Sequence, residues 1–271
     1  MEKYKTLFTK LPAIIGMIHV PPLLGTPMYS PGDYINVIEK VKEEAEIYST
    51  TGVDAVLIEN MHDIPYLNRN IGPEITASMT AVAVAVKSIV SNLPCGIQIL
   101  AGCNKEALAV ARATNLDFIR AECFVFSHIS DEGMMNADAG ELLRYRKNID
   151  ADNILVFTDI KKKHCSHSIT GDVDLSEVCK AAEFFLSDGV IITGTSTGSP
   201  ACHTDLFNAK NSSSLPVLVG SGVTQNNVSQ FLHADGFIIG SYFKEGGCWR
   251  NQLSKERITN FVNIVKKLRS E

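Results

Sequence analysis

A chain of 271 residues, 45% hydrophobic and 20% charged, can bury a sizeable core and is too apolar to be disordered as a whole. Its formal net charge of −5 argues against a nucleic-acid-coating surface and leaves discrete small ligands as the expected partners. No apolar run is long enough to span a bilayer, so no membrane partner is expected either.

In chain order, short apolar runs alternate with helical patterns. The first run, AIIGMIHV (13–20), precedes a stretch in which Tyr34, Val37, Ile38, Val41 and Ala45 share one face and Gly52 supplies the stop. VDAVLIEN (53–60) is followed by an Ala-rich, nearly uncharged helix over 74–90. That composition fits packing on several sides or contact with a second copy, so a homo-oligomer is one expectation. CGIQIL (95–100), DFIRAE (117–122), ILVFTDI (154–160) and GVIITG (189–194) alternate with helices predicted over 105–115, 138–148, 174–189 and 203–211. PVLVGS (216–221) and DGFIIGS (235–241) lead into helices over 224–234 and 255–271. Continuous apolar runs are those of parallel strands covered on both faces. Eight such units without a linker predict an α/β fold, a (β/α)8 TIM barrel forming a single domain over 1–271. An open doubly wound sheet would show the same alternation but explains the regular spacing less well.

Seven scattered cysteines, with no Cys-x-x-Cys pair, indicate neither a disulfide framework nor a zinc ribbon and fit a reducing compartment. The first residues, MEKYKTLFTK, lack the apolar core of a signal peptide, so the cytoplasm is the default location.

In a barrel of this kind, chemistry collects where strands end. Those positions hold His19, Glu59 with Asn60, Gln98, Arg120 with Glu122, and Asp159 with Lys161, Lys163 and His164 just beyond. The last three runs close on Gly194, on Gly220-Ser221-Gly222 and on Gly240-Ser241. Glycines there let backbone N–H groups approach an anion, and barrels often hold a phosphate after their last two strands. Gly194, Gly220, Ser221, Gly222, Gly240 and Ser241 are therefore the expected phosphate contacts. The plainer reading is that a glycine simply ends a strand in a tight turn.

Glu59 and Asp159 are the expected acid–base pair, because a carboxylate at a barrel mouth is partly desolvated. The plainer reading gives them to an ion pair with Arg120 or a lysine. His19 titrates near neutrality and is a third candidate. Lys161 or Lys163 supplies either a cation for phosphate or, if buried, the amine of a Schiff base; three lysines in a row are more often a solvated loop. Asn60, Gln98, Arg120 and His164 are the remaining expected ligand contacts. No cofactor and no metal are expected, since His164, Cys165 and His167 form one cluster without a partner cluster and stand beside three lysines. The long segment 124–138, with a turn at Asp131-Glu132-Gly133, is read as a lid.

IIGMIHVPPLLGTP, GVDAVLIENMHDIPY, FIRAECF followed by SDEG and LLRYRKN, VLVGSGVTQNNV and ADGFIIGS together resemble the BtpA/SgcQ family over nearly the whole chain. The resemblance implies a phosphate-binding-type TIM barrel. One cyanobacterial member is implicated in photosystem I biogenesis and another lies among sugar-metabolism genes, so no single reaction is implied. The chain departs from bacterial members at Ala101-Gly102-Cys103, at Lys161-Lys162-Lys163-His164 and at Glu122. Those departures are similar to eukaryotic relatives, some labelled mitochondrial, which makes the mitochondrion the alternative location. The combined expectation is a protein that binds a phosphorylated sugar or nucleotide-like metabolite, with isomerase, epimerase or lyase chemistry as the enzymatic option. A non-catalytic assembly or biogenesis factor that retains the barrel is the alternative.

Overall fold

In the computed structural model, residues 1–194 and 196–270 are described; Thr195 and Glu271 lie outside the described residues. In chain order the strands are β1 (Ala13–His19), β2 (Ala55–Glu59), β3 (Cys95–Gln98), β4 (Phe118–Ala121), β5 (His128–Ser130), β6 (Gly133–Met135), β7 (Leu155–Asp159), β8 (Cys165–Ser166), β9 (Gly189–Ile192), β10 (Val217–Val219) and β11 (Gly236–Ile239). Eight of them close into a parallel barrel in the order β1-β11-β10-β9-β7-β4-β3-β2, and each lies within one of the eight predicted runs. The (β/α)8 fold is therefore the one the sequence spacing predicts.

Strand periodicity explains how this barrel places polar groups at its mouth. Alternate residues along a strand face the same side. Ala13, Ile15 and Met17 of β1, Ala55 and Leu57 of β2, Phe118 of β4, Leu155 and Phe157 of β7, Leu218 of β10 and Ile238 of β11 pack together inside the barrel. One step of two further along the same rows come His19, Glu59, Arg120, Asp159, Gly220 and Gly240. The interposed residues, such as Ile14, Ile18, Val56 and Ile58, face the helices in a second apolar layer.

Those helices are α1 (Glu2–Leu7), α2 (Tyr34–Thr51), α3 (Pro73–Ile89), α4 (Asn104–Ala113), α5 (Ala139–Asn148), α6 (Leu175–Phe184), α7 (His203–Ser212) and α8 (Lys255–Leu268). The Ala-rich α3 lies between α2 and α4 and buries Ile75, Met79, Val82 and Val86, which accounts for its composition. α1 was not expected from the sequence. It closes the floor of the barrel: the rings of Tyr4 and Phe8 pack against Phe157, and Phe8 against Phe118, at 5.7 to 6.3 Å. The Tyr4 hydroxyl donates to the Asp235 carbonyl at 2.9 Å. Burying each ring contributes about 1.5–3 kcal/mol.

The seventh unit differs from expectation. In place of a helix over 224–234 there is a single 3-10 turn, Val228–Phe231. Asn227 is the reason: its Oδ1 accepts from the Thr224 N–H at 2.7 Å while its Nδ2 donates to the Gly222 carbonyl at 2.9 Å. A side chain that satisfies the backbone locally competes with helix formation. The segment read as a lid also takes a definite form. β5 and β6 make a hairpin turning at Asp131-Glu132, and β8 joins it to give a small antiparallel sheet.

Candidate ligand site at the barrel mouth

A cavity of about 320 Å3 opens at the C-terminal ends of the barrel strands. Its wall carries His19, Glu59, Arg120 and Lys163 together with Gly220, Ser221, Gly222, Gly240 and Ser241. The two glycine corners are neighbours because β10 and β11 pair in register, Leu218 beside Gly236 and Val219 beside Phe237.

At these corners the backbone is left with donors to spare. The N–H groups of Ser221, Gly222, Val223, Gly240 and Ser241 donate to no described residue. Such amides at the rim of a cavity attract an anion. Gly222 has φ +67°, and a Cβ there would lie 2.3 Å from the Pro200 backbone, so only glycine lets the two loops meet. A Cβ on Gly240 would stand 3.0 Å from His19 Nε2, which sets that ring directly beside the second corner.

Gly194 and the Ser221 side chain do not match the expectation. The Gly194 N–H donates to Ser221 Oγ at 2.7 Å, and that hydroxyl donates to the Ser199 carbonyl at 2.9 Å. Both are consumed in fastening the two loops, so Gly194 leaves the expected set and Ser221 contributes its amide alone. Arg257 joins the site instead. It lines the cavity from the first turn of α8, its Nε donates to the Tyr242 carbonyl at 2.7 Å, and its guanidinium lies 4.5 Å over the Tyr242 ring. Its terminal nitrogens donate to no described residue. A cation in the first turn opposes the helix dipole, a local misfit visible in the sequence.

His19 Nε2 lies 3.8 Å from Glu59 Oε2, and His19 Nδ1 is 3.4 Å from the Trp249 carbonyl. Burial raises the Glu59 carboxyl above its ordinary range, partly opposed by Arg120 and Lys163. Burial lowers the His19 ring well below its usual value, and the charge of Lys244 adds to that. Lys163 is likewise lowered, by burial and then by Arg120. Each of the three groups is driven toward its neutral form.

Asp159 is not the free acid or base the sequence led us to expect. Its Oδ2 accepts from Arg120 Nε at 2.8 Å and its Oδ1 from Arg120 Nη2 at 2.7 Å. Burial works against the Arg120 charge, but Asp159 more than offsets it and holds the guanidinium above its ordinary value. Asp159 thus fixes Arg120, which lies beneath Gly220.

The other expected contacts sit around the cavity rather than on its wall. Asn60 donates to Asp63 Oδ2 and accepts from the Leu100 N–H, both at 2.8 Å, and so braces the loop after β3. Gln98 donates to Glu122 Oε1 at 3.0 Å, while Glu122 also takes the Gly102 N–H and the Lys162 ammonium. His164 is exposed and tied to Thr197 at 3.1 Å, holding the loop that carries Thr197 and Gly198 to the rim. The 128–135 hairpin contributes nothing to this wall. Arg69 clamps its base through the Gly102, Cys123 and Asn136 carbonyls and an ion pair with Asp138. Among the described residues no group of three or more His, Cys, Asp or Glu side chains assembles into a metal-holding cluster. No described helix is long and apolar enough to cross a membrane.

A closed parallel barrel with a cavity at the C-terminal strand ends defines a TIM-barrel protein. The chain belongs to the BtpA family, whose family model matches residues 10–267. It is 48% identical over 269 residues to an uncharacterized mitochondrial protein of Caenorhabditis elegans, covering 98% of this chain and 97% of that one. It is 31% identical to the photosystem I biogenesis protein BtpA of Synechocystis, covering 98% and 91%. Among solved structures, the barrel is similar to (S)-3-O-geranylgeranylglyceryl phosphate synthase from Thermoplasma acidophilum. The TM-score is 0.58 at 15% identity, with 94% and 93% of the two chains covered.

Proposed function

We propose that the mouth cavity binds a phosphorylated small metabolite, a sugar phosphate or a nucleotide-like compound, and that Glu59 and His19 move a proton on it. The observation that carries this reading is the set of five backbone N–H groups without described acceptors, on the same cavity as Glu59, His19 and Lys163. The phosphate takes the amides of Ser221, Gly222, Val223, Gly240 and Ser241, with Arg257 supplying charge-assisted hydrogen bonds. A Glu59 carboxyl with a raised pKa can donate a proton near neutral pH, and a neutral His19 can accept one. Arg120, oriented by Asp159, places a fixed positive charge where negative charge would develop. Isomerase, epimerase or lyase chemistry fits such a set. The Thermoplasma protein, a geranylgeranylglyceryl phosphate synthase, is described in complex with its substrate sn-glycerol-1-phosphate, which supports a phosphate ligand for this fold.

A structure determined with inorganic phosphate, together with mass spectrometry of small molecules retained on purification, tests the reading. An oxyanion between residues 221–223 and 240–241 is expected. An empty corner at saturating phosphate, with no phosphorylated compound retained, overturns it.

The name of the Synechocystis relative favours a second reading, an assembly factor that retains the cavity. Under that reading Glu59→Gln leaves partner capture intact and changes no metabolite response. For location, the name of the worm relative favours the mitochondrial alternative, which imaging of the full chain would decide.

A further inference from the structure

Lys163 lies just beyond β7, and its backbone is held from both sides. Its N–H donates to Thr193 Oγ1 at 3.1 Å, and its carbonyl accepts from Cys165 Sγ at 3.3 Å. The side chain reaches the cavity wall shared by Glu59, His19 and Arg120. Two carboxylates near it are already taken: Asp159 by Arg120, and Glu122 by Lys162 at 2.9 Å. Lys163 Nζ forms no hydrogen bond or ion pair with any described residue.

From this arrangement we propose that Lys163 captures a carbonyl group of the ligand as an imine. The inference rests on reading the cavity as a phosphate-ester site. A lysine used only to clamp phosphate works best fully charged, with carboxylates near it. Here Asp159 and Glu122 are paired elsewhere and Glu59, the carboxylate left on the same wall, is itself driven toward its neutral form; burial and the Arg120 guanidinium lower the amine, and Glu59 opposes them only in part. The anion, on that reading, already has five amides and Arg257.

The chemistry balances without an oxidant or reductant. The Nζ lone pair attacks the carbonyl carbon, and the π electrons move to oxygen. A proton leaves nitrogen and, relayed by His19, reaches that oxygen to give a carbinolamine. The Glu59 carboxyl then protonates the hydroxyl, which departs as water while the nitrogen lone pair closes the C=N bond. The products are an iminium ion, a Glu59 carboxylate and one water.

Substoichiometric pyridoxal 5′-phosphate and, separately, pyridoxal would be added to the full-length protein at neutral pH and reduced with borohydride, and the labelled peptides mapped by mass spectrometry. Lys163 is expected to label faster than the other lysines by roughly tenfold or more, and Lys163→Met, folded by circular dichroism, to lose that label. Labelling spread over surface lysines, with Lys163 unmodified by either aldehyde, overturns the proposal. The phosphate reading is separable. If pyridoxal labels Lys163 as well as its phosphate ester does, and inorganic phosphate gives no protection, the imine site stands and the phosphate corner falls.

Discussion

Arg120 and Asp159 meet through two parallel hydrogen bonds, 2.8 Å from Nε to Oδ2 and 2.7 Å from Nη2 to Oδ1, with both side chains almost wholly buried. Guanidinium does not deprotonate in the accessible pH range, so removing its partner strands a buried charge. Asp159→Asn should therefore cost about 3–5 kcal/mol, nearer the lower figure because the amide keeps one acceptor. The urea midpoint should fall at unchanged slope, and Arg120→Met combined with Asp159→Leu should recover most of the loss. A single variant as stable as the parent would show that the pair is not the brace described.

Gly222→Ala should weaken inorganic phosphate binding, measured by calorimetry, because the new methyl would meet the Pro200 backbone at 2.3 Å and displace the corner. Gly32→Ala is the control. Its φ of +92° is as demanding, but the space around it is open. It should lose roughly 1 kcal/mol of stability from backbone strain and bind phosphate normally. Equal affinities in the two variants would remove Gly222 from the anion site.

Arg257→Met separates affinity from folding. A hydrogen bond to a charged group contributes about 1.5–3 kcal/mol, so phosphate affinity should drop about ten- to a hundredfold. The melting temperature should fall by only a few degrees, since the side chain's described contacts are one hydrogen bond to the Tyr242 carbonyl and its stack on the Tyr242 ring. An unchanged dissociation constant would mean that Arg257 faces the cavity without holding the anion.

His128 should govern part of the acid sensitivity. Burial, followed by the charge of His167, lowers its ring to about 4 from an ordinary 6.5. On acidification the unfolded chain takes up this proton before the folded one does. The stability contributed above pH 6.5 is therefore lost progressively as pH falls toward 4. His128 Nε2 has no described hydrogen-bond partner, so His128→Phe sacrifices no bond there. Melting curves at pH 7 and pH 5 should show a smaller fall for the variant than for the parent. Identical falls would contradict the assignment.

Much of the barrel is legible in the chain because parallel strands buried on both faces need unbroken apolar runs, and each run here carries a polar or glycine residue at or near its end. The roles of those end residues are less legible. Asp159 reads as a free acid until Arg120, 39 positions earlier, is brought beside it by the pairing of β4 with β7. Asn60 and Gly194 mislead for the same reason, since Leu100 and Ser221 become their neighbours only after closure. β5, β6 and β8 are two or three residues long, below the length at which alternation can be recognised. α1 hides its purpose behind lysines, because only Tyr4, Leu7 and the following Phe8 pack against the barrel interior. Arg257 carried a readable signal, a cation at the wrong end of a helix dipole.

The floor of the barrel also decides how the molecule can be handled. Tyr4 of α1 bonds there to Asp235, and Arg269, just past α8, reaches the Pro12 carbonyl at 3.2 Å. Both outermost helices thus finish on the side remote from the doorway. A fusion partner or a surface linker attached through either of them hangs behind the molecule, and a tethered copy keeps its entrance turned toward solution.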